Sequence, residues 1–192
     1  MAVNLTKGGR ISLNKEAPGL KKILIGLGWD TNASDTGADF DLDASVFLLD
    51  SNAKVANEKD FVFYNNLSSS DGSVVHTGDN RTGEGDGDDE SIKVDLSKIS
   101  SSIKEIAIVV TIHEAAQRKQ NFGMVRNAFI RLVNDETNTE IVRYDLEEDY
   151  STETGLLFGR LYFKDNEWKF SAVGTGYKEG LDGFCKQFGL NS

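Results

Sequence analysis

Cysteine and histidine are scarce in this chain, and their scarcity narrows its possible chemistry. Cys185 is the only cysteine among 192 residues, so neither an internal disulfide nor a thiolate metal cluster can form. His76 and His113 are the only histidines, and no nucleophile motif, phosphate-binding loop or zinc-binding signature is present. We expect His76 to be a hydrogen-bonded structural residue and His113 to mark the end of a strand. The sequence therefore predicts a protein that is not an enzyme.

Long apolar segments and excess positive charge are also missing. No run approaches the roughly eighteen apolar residues of a membrane span, and residues 1–20 lack the apolar core of a signal peptide. Acidic residues outnumber basic ones by 31 to 21, which gives a formal net charge of -10. This charge disfavours nucleic acid, anionic membranes and anionic substrates, and it favours divalent cations and basic partners. We expect a soluble, cytoplasmic protein.

Helical periodicity is weak, and most of the chain has the pattern of short strands. Apolar, β-branched and aromatic runs alternate with Gly, Asn, Asp and Ser, and the connections NDETNTE and KDNE are typical of hairpins. Such a series of strands predicts a mainly β protein, a β-sandwich of two antiparallel sheets rather than a parallel sheet. The predicted strands cover residues 21–29, 61–66, 91–96, 105–113, 127–134, 140–146, 155–163 and 167–174.

Two short helices complete the predicted elements of what the length suggests is one domain. The first covers residues 113–125 and turns Ala116 and Phe122 inward. The second covers residues 180–190, and its predicted buried residues are Leu181, Phe184, Cys185 and Phe188.

An acidic, glycine-rich segment stands out against this background. The run GDNRTGEGDGDDE (78–90) contains four glycines and one arginine. Its carboxylates belong to Asp79, Glu84, Asp86, Asp88, Asp89 and Glu90. Two interpretations are open from this run alone, a solvated disordered loop or a cation site.

A second acidic element has the pattern of a strand, DFDLDASVFLLD (39–50). Asp39, Asp41 and Asp43 fall on one face at intervals of roughly 7 Å, because strand side chains alternate. Their repulsion is below about 1 kcal/mol per pair in water but grows several-fold in a partly buried site. The row therefore fits either an edge strand with a solvated acidic face or one rigid side of a cation site.

Taken together, the two acidic elements favour a calcium site. Asn65, Asn66 and Asn80 add neutral oxygens, and Ca²⁺ accepts six to eight mixed oxygen ligands with irregular geometry. An EF-hand is excluded, because Ala44 and Ser91 occupy the position where that loop requires glycine. A β-sandwich that binds calcium in its loops remains.

Segments distributed along the whole chain form a recognisable set. They are GLGWD (26–30), DFDLDAS (39–45), FYNNL (63–67), DGSVVHTGDNRTGEGDGDDE (71–90), VTIH (110–113), AFIRLVN (128–134), RYDL (143–146) and EWKFSAVGTGY (167–177). Together they resemble the TerD family of bacterial tellurite-resistance and stress-response proteins, which includes the paralogues TerE and TerZ. Because the resemblance runs end to end, it implies a single TerD domain over residues 1–192.

The resemblance carries its own expectations. It implies a β-sandwich similar to calcium-lipid-binding modules, with two Ca²⁺ ions near the acidic loops. It also implies a role in resistance to tellurite, chemical stress and phage, with a TerC-like membrane protein and a TerB-like protein as partners. The positions that match the family's acidic motifs are Asp30, Asp39, Asp41, Asp43, Asn65, Asn66, Asp79, Asn80, Glu84, Asp86, Asp88, Asp89 and Glu90.

These observations predict a calcium-dependent interaction module. Ion binding would neutralise and order the acidic loops and complete a docking surface, and calcium could bridge the protein to the inner membrane face. The alternative is a metal-dependent hydrolase that uses the same carboxylates. Direct capture of tellurite is disfavoured, because tellurite is an oxyanion and the chain is strongly negative.

Overall fold

A computed structural model describes residues 1–31, 40–78 and 87–191, without the side chain of Thr31. Within these ranges the chain forms two six-stranded sheets. In spatial order, the first sheet contains β1 (Val3–Leu5), β10 (Thr139–Asp145), β9 (Val125–Asn134), β3 (Lys22–Thr31), β7 (Glu90–Asp95) and β6 (Val74–His76). The second contains β2 (Arg10–Ser12), β12 (Glu167–Tyr177), β11 (Gly155–Lys164), β8 (Glu105–Ile112), β4 (Leu42–Leu49) and β5 (Phe61–Val62).

The mainly β architecture with two sheets confirms the predicted fold class, with one correction to the pairing. The strand pairs are antiparallel except β1 and β10, which run parallel from Val3 beside Val142 to Leu5 beside Tyr144. β1 lies along the outer edge of the hairpin that β9 and β10 form, in the same direction as β10. The first sheet is therefore mixed, whereas the prediction had two purely antiparallel sheets.

A shared apolar core lies between the sheets. Alternation turns Ile23, Ile25 and Leu27 of β3 inward, where they are essentially inaccessible to solvent. Ile106 and Ile108 of β8 belong to the same core. Removing each such side chain from water is worth about 1.5–3 kcal/mol, so this core supplies most of the force that holds the two sheets together.

A second apolar cluster lies on the outer face of the second sheet. There α3 (Gly180–Gln187) packs Phe184 and Cys185 against Phe47 and Val109. Because β8 is covered on both faces, it is buried over nearly its whole length, and this explains its continuous apolar sequence.

The helix predictions have mixed outcomes. The C-terminal helix is confirmed, with its predicted residues buried except for Leu181, which is partly exposed. The predicted helix over 113–125 is wrong. Only α2 (Ala115–Arg118) and a 3₁₀ turn (Phe122–Met124) form there.

The broken helix has a backbone cause. Glu114 and Lys119, at the two ends of α2, both have a positive φ, which a continuing α-helix does not allow. As a result Ala116 is exposed, although Phe122 is buried as predicted. Of the other helices among the described residues, α1 (Leu13–Glu16) is a single turn, and a second 3₁₀ turn (Glu58–Asp60) precedes β5.

Some strand boundaries also differ from the predictions. The strand predicted over 61–66 ends at Val62, because Phe63 and Asn66 exchange backbone hydrogen bonds and close a turn. The three-residue strands β1, β2 and β6 were not predicted. No helix within the described ranges is long and apolar enough to cross a membrane.

The beginnings of β4 and β7 lie close together at one end of the two sheets. The Ala44 N–H donates to Glu90 Oε2 at 2.6 Å, which joins the second sheet to the first. The described acidic residues Asp41, Asp43, Asp88, Asp89 and Glu90 therefore lie at this end of the molecule.

Candidate metal centre

Of the thirteen predicted oxygen donors, some lie within the described residues and some do not. Those described are Asp30, Asp41, Asp43, Asn65, Asn66, Asp88, Asp89 and Glu90. Those outside the described residues are Asp39, Asp79, Asn80, Glu84 and Asp86.

Asp88 lies flat on the outer face of the first sheet. Arg131 of β9 donates to its two oxygens, from Nε at 2.8 Å and from Nη2 at 2.9 Å. The carboxylate occupies the space above Gly26, where an added Cβ would lie 2.3 Å from it. The side-chain hydrogen bond to Asp88, with a second to Glu140 at 3.2 Å, raises the pKa of Arg131.

Asp89 is tied to the end of β3 by backbone groups. Its Oδ2 accepts the Trp29 N–H at 2.8 Å, and its own N–H donates to the Leu27 carbonyl at 2.7 Å. Burial raises the pKa of Asp89, and the negative charges of Asp30 and Asp88 raise it further, against the lowering effect of the Trp29 N–H. Carboxylates from two separate segments therefore repel one another here.

Glu90 points into the space between the sheets and is only 3% exposed. Besides the Ala44 N–H, its Oε2 faces His76 Nε2 at 3.6 Å. The Gly78 N–H donates to His76 Nδ1 at 3.1 Å, so a neutral His76 carries its proton on Nε2, toward Glu90. His76 is buried and hydrogen-bonded, as predicted.

Asp41 precedes β4, and Asp43 is its second residue. β4 pairs with β8 along its whole length, whereas β5 pairs only with Val46 and Phe47. The acidic start of the strand is thus paired with β8 alone, but the burial of Asp43 contradicts a solvated acidic face. Asp43 is only 7% exposed, and its Oδ2 lies 3.6 Å from Nδ1 of His113, just after the end of β8. A cavity of about 380 Å³ opens beside this pair and is also lined by Thr111 and Lys178.

Asp30 and the asparagines have different surroundings. Asp30 is exposed and accepts a hydrogen bond from Asn127 Nδ2 at 2.5 Å. A cavity of about 330 Å³ is lined by Asp30, Asp89 and Asn127 among others. Asn66 donates to the carbonyls of Lys59 and Phe61 and so stabilises a turn, whereas Asn65 is exposed.

The described residues alone do not complete a metal site. No group of three or more His, Cys, Asp or Glu side chains within residues 1–31, 40–78 and 87–191 is arranged to hold an ion. Their donor chemistry nevertheless suits calcium, because carboxylate and amide oxygens predominate. Coordination of an ion would need donors from the segments outside the described residues.

The partners of these carboxylates were not predicted from the sequence. Nothing in the spacing of Arg131 connects it to Asp88, forty-three positions earlier. A weak signal was available at Gly26 and Gly28, because glycine inside a strand often marks the close approach of another group. Asp88 lies over the first, and the Phe129 ring lies over the second.

Comparison with known proteins places the chain among bacterial resistance and stress proteins. A family model described as TerD domain matches residues 1–188. Tellurium resistance protein TerD of Serratia marcescens is 62% identical over 192 residues, with complete coverage of both chains. General stress protein 16U of Bacillus subtilis is 55% identical over 190 residues, which cover 99% of this chain and 98% of that protein.

A structural comparison agrees at the level of the fold. The crystal structure of a homologue of telluride resistance protein (TerD) from Streptomyces coelicolor superposes with a TM-score of 0.72 and 21% identity. The match covers 90% of this chain and all of that one.

Proposed function

The chain belongs to the TerD domain family, and from this membership we propose that it is a calcium-binding stress-response protein. Relatives carry the names tellurium resistance protein, general stress protein and chemical-damaging agent resistance protein. These names associate the family with resistance to tellurium and chemical stress. The proposal adds that the acidic end of the sandwich is a calcium-dependent interaction module.

The observation that supports calcium most directly is the crowding of carboxylates where β3 and β7 meet. Burial raises the pKa of Asp89, and the charges of Asp30 and Asp88 raise it further, so carboxylates from β3 and from the acidic segment repel one another there. A bound divalent cation would relieve this repulsion. The coordination sphere would be completed by carboxylates of the segments 32–39 and 79–86, which lie outside the described residues.

The proposed interaction follows from charge. When bound, the ion supplies the positive charge that the acidic end lacks. The module would then dock a partner, and the family suggests a TerC-like membrane protein and a TerB-like protein. Calcium could also bridge the remaining carboxylates to anionic headgroups at the inner membrane face.

The alternative function is a metal-dependent hydrolase. Only the cavity beside Asp43 and His113 favours it, since an acid–base pair beside a recess is one part of a hydrolytic site. Hydrolysis of phosphoesters that disappears in Asp86→Asn would support this alternative over the module.

Calorimetry and thermal melting test the calcium proposal. We expect binding of about two ions, a higher melting temperature with calcium than with equal magnesium, and a changed emission of Trp29, which contacts Asp89. At a free calcium concentration of about 100 times the dissociation constant, binding should raise the free energy of unfolding by about 2.7 kcal/mol.

A matched pair of variants adds a control. Asp43→Asn should weaken binding, whereas Asp165→Asn, in the distant β11–β12 hairpin, should not. Melting curves that do not move between micromolar and millimolar calcium would contradict the proposal.

A further inference from the structure

The structure assigns Asp88, Asp89 and Glu90 to holding the acidic segment on the two sheets, and not to coordinating the ion. We call these three side chains the anchor residues, and Arg131 their positioning partner. The inference rests on the proposed calcium function. If the acidic segment supplies calcium ligands, the anchor residues fix the position from which that segment extends.

The charge of Asp88 is already neutralised by a neighbouring side chain. Arg131 donates to both carboxylate oxygens, and the Asp88 side chain is only 12% exposed. A paired fork of this kind is among the stronger charged contacts in proteins. Gly26 leaves the space that lets the carboxylate lie flat on the sheet. Arg131 is always charged, so it already supplies at both oxygens the positive charge that an ion would bring.

The three anchor residues also point in different directions. Asp88 lies on the outer face of the first sheet, whereas Glu90 enters the interior and accepts the Ala44 N–H of the second sheet. Between them, Asp89 turns to the Trp29 N–H at the end of β3. The chain bends at Gly87 and Asp89. Asp88 and Glu90 therefore face opposite sides of the first sheet, although residues two apart in a regular strand share a face, and the three carboxylates do not converge on one point.

The anchor residues instead fix the point where the acidic segment joins β7. The segment that ends at Gly87 is followed by contacts to β9, β3 and β4 in turn. Groups that orient ligands without touching the metal commonly change its affinity by 10–100-fold. Arg131 is therefore expected to control calcium affinity through Asp88, without touching calcium itself.

A double-mutant cycle on the full chain separates the two roles of Asp88. Calcium titration calorimetry is run on the wild type, Asp88→Asn, Arg131→Gln and the double variant. If Asp88 is an anchor, each single variant weakens calcium binding by about 10-fold or more, and the double variant is no weaker than the worse single one. Lys93→Gln removes one positive charge from β7 and is the matched control, with unchanged affinity expected.

Hydrogen exchange supplies a readout that does not need calcium. In calcium-free buffer, the Asp89 and Trp29 amides should exchange faster in both single variants than in the wild type or in Lys93→Gln. Arg131→Lys keeps the charge but loses the fork, so it should fall between the wild type and Arg131→Gln. If Asp88→Asn does not fold, the comparison of Arg131→Lys with Arg131→Gln still tests the anchoring contacts.

The outcomes are distinct. If Arg131→Gln binds calcium more tightly while Asp88→Asn loses binding, Asp88 is a ligand and the inference is overturned. Unchanged exchange at both amides also overturns it. If the wild type releases no heat with calcium, the proposed function fails, and faster amide exchange in the variants still supports the anchoring contacts.

Discussion

Individual carboxylates in this chain differ in what neutralises them. Asp88 faces a guanidinium, whereas Asp71 collects four hydrogen bonds from Ser69, Ser73 and the Ser100 N–H. Asp71 thereby joins the loop before β6 to the loop after β7. Aspartate is thus a structural residue in this protein even where no cation is proposed, so acidity alone does not identify a ligand.

The contacts of Asp71 predict a dependence of stability on pH. Burial raises the pKa of Asp71, but the hydrogen bonds from Ser73, Ser100 and Ser69 outweigh it, so the pKa lies below its usual value. A lowered folded-state pKa means that the stabilisation is present above the unfolded-state pKa, about 3.9, and is lost as the pH falls through the folded value. Asp71→Asn should reduce the free energy of unfolding at neutral pH by about 1–3 kcal/mol. The variant should also lose less stability than the wild type as the pH falls into the acid range.

Urea unfolding at a series of pH values measures both effects. Glu136→Gln, on the exposed β9–β10 hairpin, is the control and should retain the wild-type profile. An equal acid-dependent loss in Asp71→Asn and the wild type would show that Asp71 does not cause it.

Among the elements, α3 completes the second sheet. Without it, the outer face of β8 and β11 would present Val109 and Leu157 to water. Phe184 is completely buried beneath the helix and lies against Gly155, where an added Cβ would be 2.9 Å from its ring. The helix therefore belongs to the core and is not an appendage.

This packing predicts the effect of truncating one side chain. Phe184→Ala should lower the free energy of unfolding by about 3–5 kcal/mol, because it removes buried area and leaves a cavity. Lys186→Ala, on the exposed side of the same helix, should change it by less than about 0.5 kcal/mol. Urea unfolding monitored by circular dichroism makes the comparison, and a similar small loss in both variants would contradict the role of α3 as a cover.

The elements also show how far sequence reasoning reached. The apolar pattern of the sequence predicted β3, β8 and β11, because each of these strands buries one or both faces and carries apolar residues at the buried positions. It did not locate the three-residue strands, whose patterns are too short to carry a period. Positive φ values at Glu114 and Lys119 ended a helix that local composition had favoured.

The candidate site was predictable in composition but not in contacts. The acidic runs themselves marked Asp88, Asp89 and Glu90 as a cluster. Their separation onto an outer face, a strand end and the interior depends on the register of β7 with β3, and on the contact of β7 with β4. Such pairings between distant segments leave no trace in local sequence.

At the scale of the whole molecule, a net negative charge is combined with a group of acidic residues at one end of the two sheets. The net charge is -10, and the described acidic residues Asp41, Asp43, Asp88, Asp89 and Glu90 lie at the end where β4 and β7 meet. Without calcium, this end should repel an anionic bilayer. With calcium bound, the same end presents cations held by carboxylates. The membrane behaviour of the protein should therefore switch with the ion.

Vesicle co-sedimentation tests this switch. The full chain should pellet with phosphatidylserine vesicles in millimolar calcium, remain in the supernatant in chelator, and pellet much less in equal magnesium. Phosphatidylcholine vesicles are the control and should not bind under any condition, because calcium then has no anionic headgroup to bridge. Binding to phosphatidylserine in chelator would contradict the charge argument. If calorimetry shows bound calcium but the vesicles recover no protein, calcium does not bridge this chain to lipid, and the module must act on a protein partner.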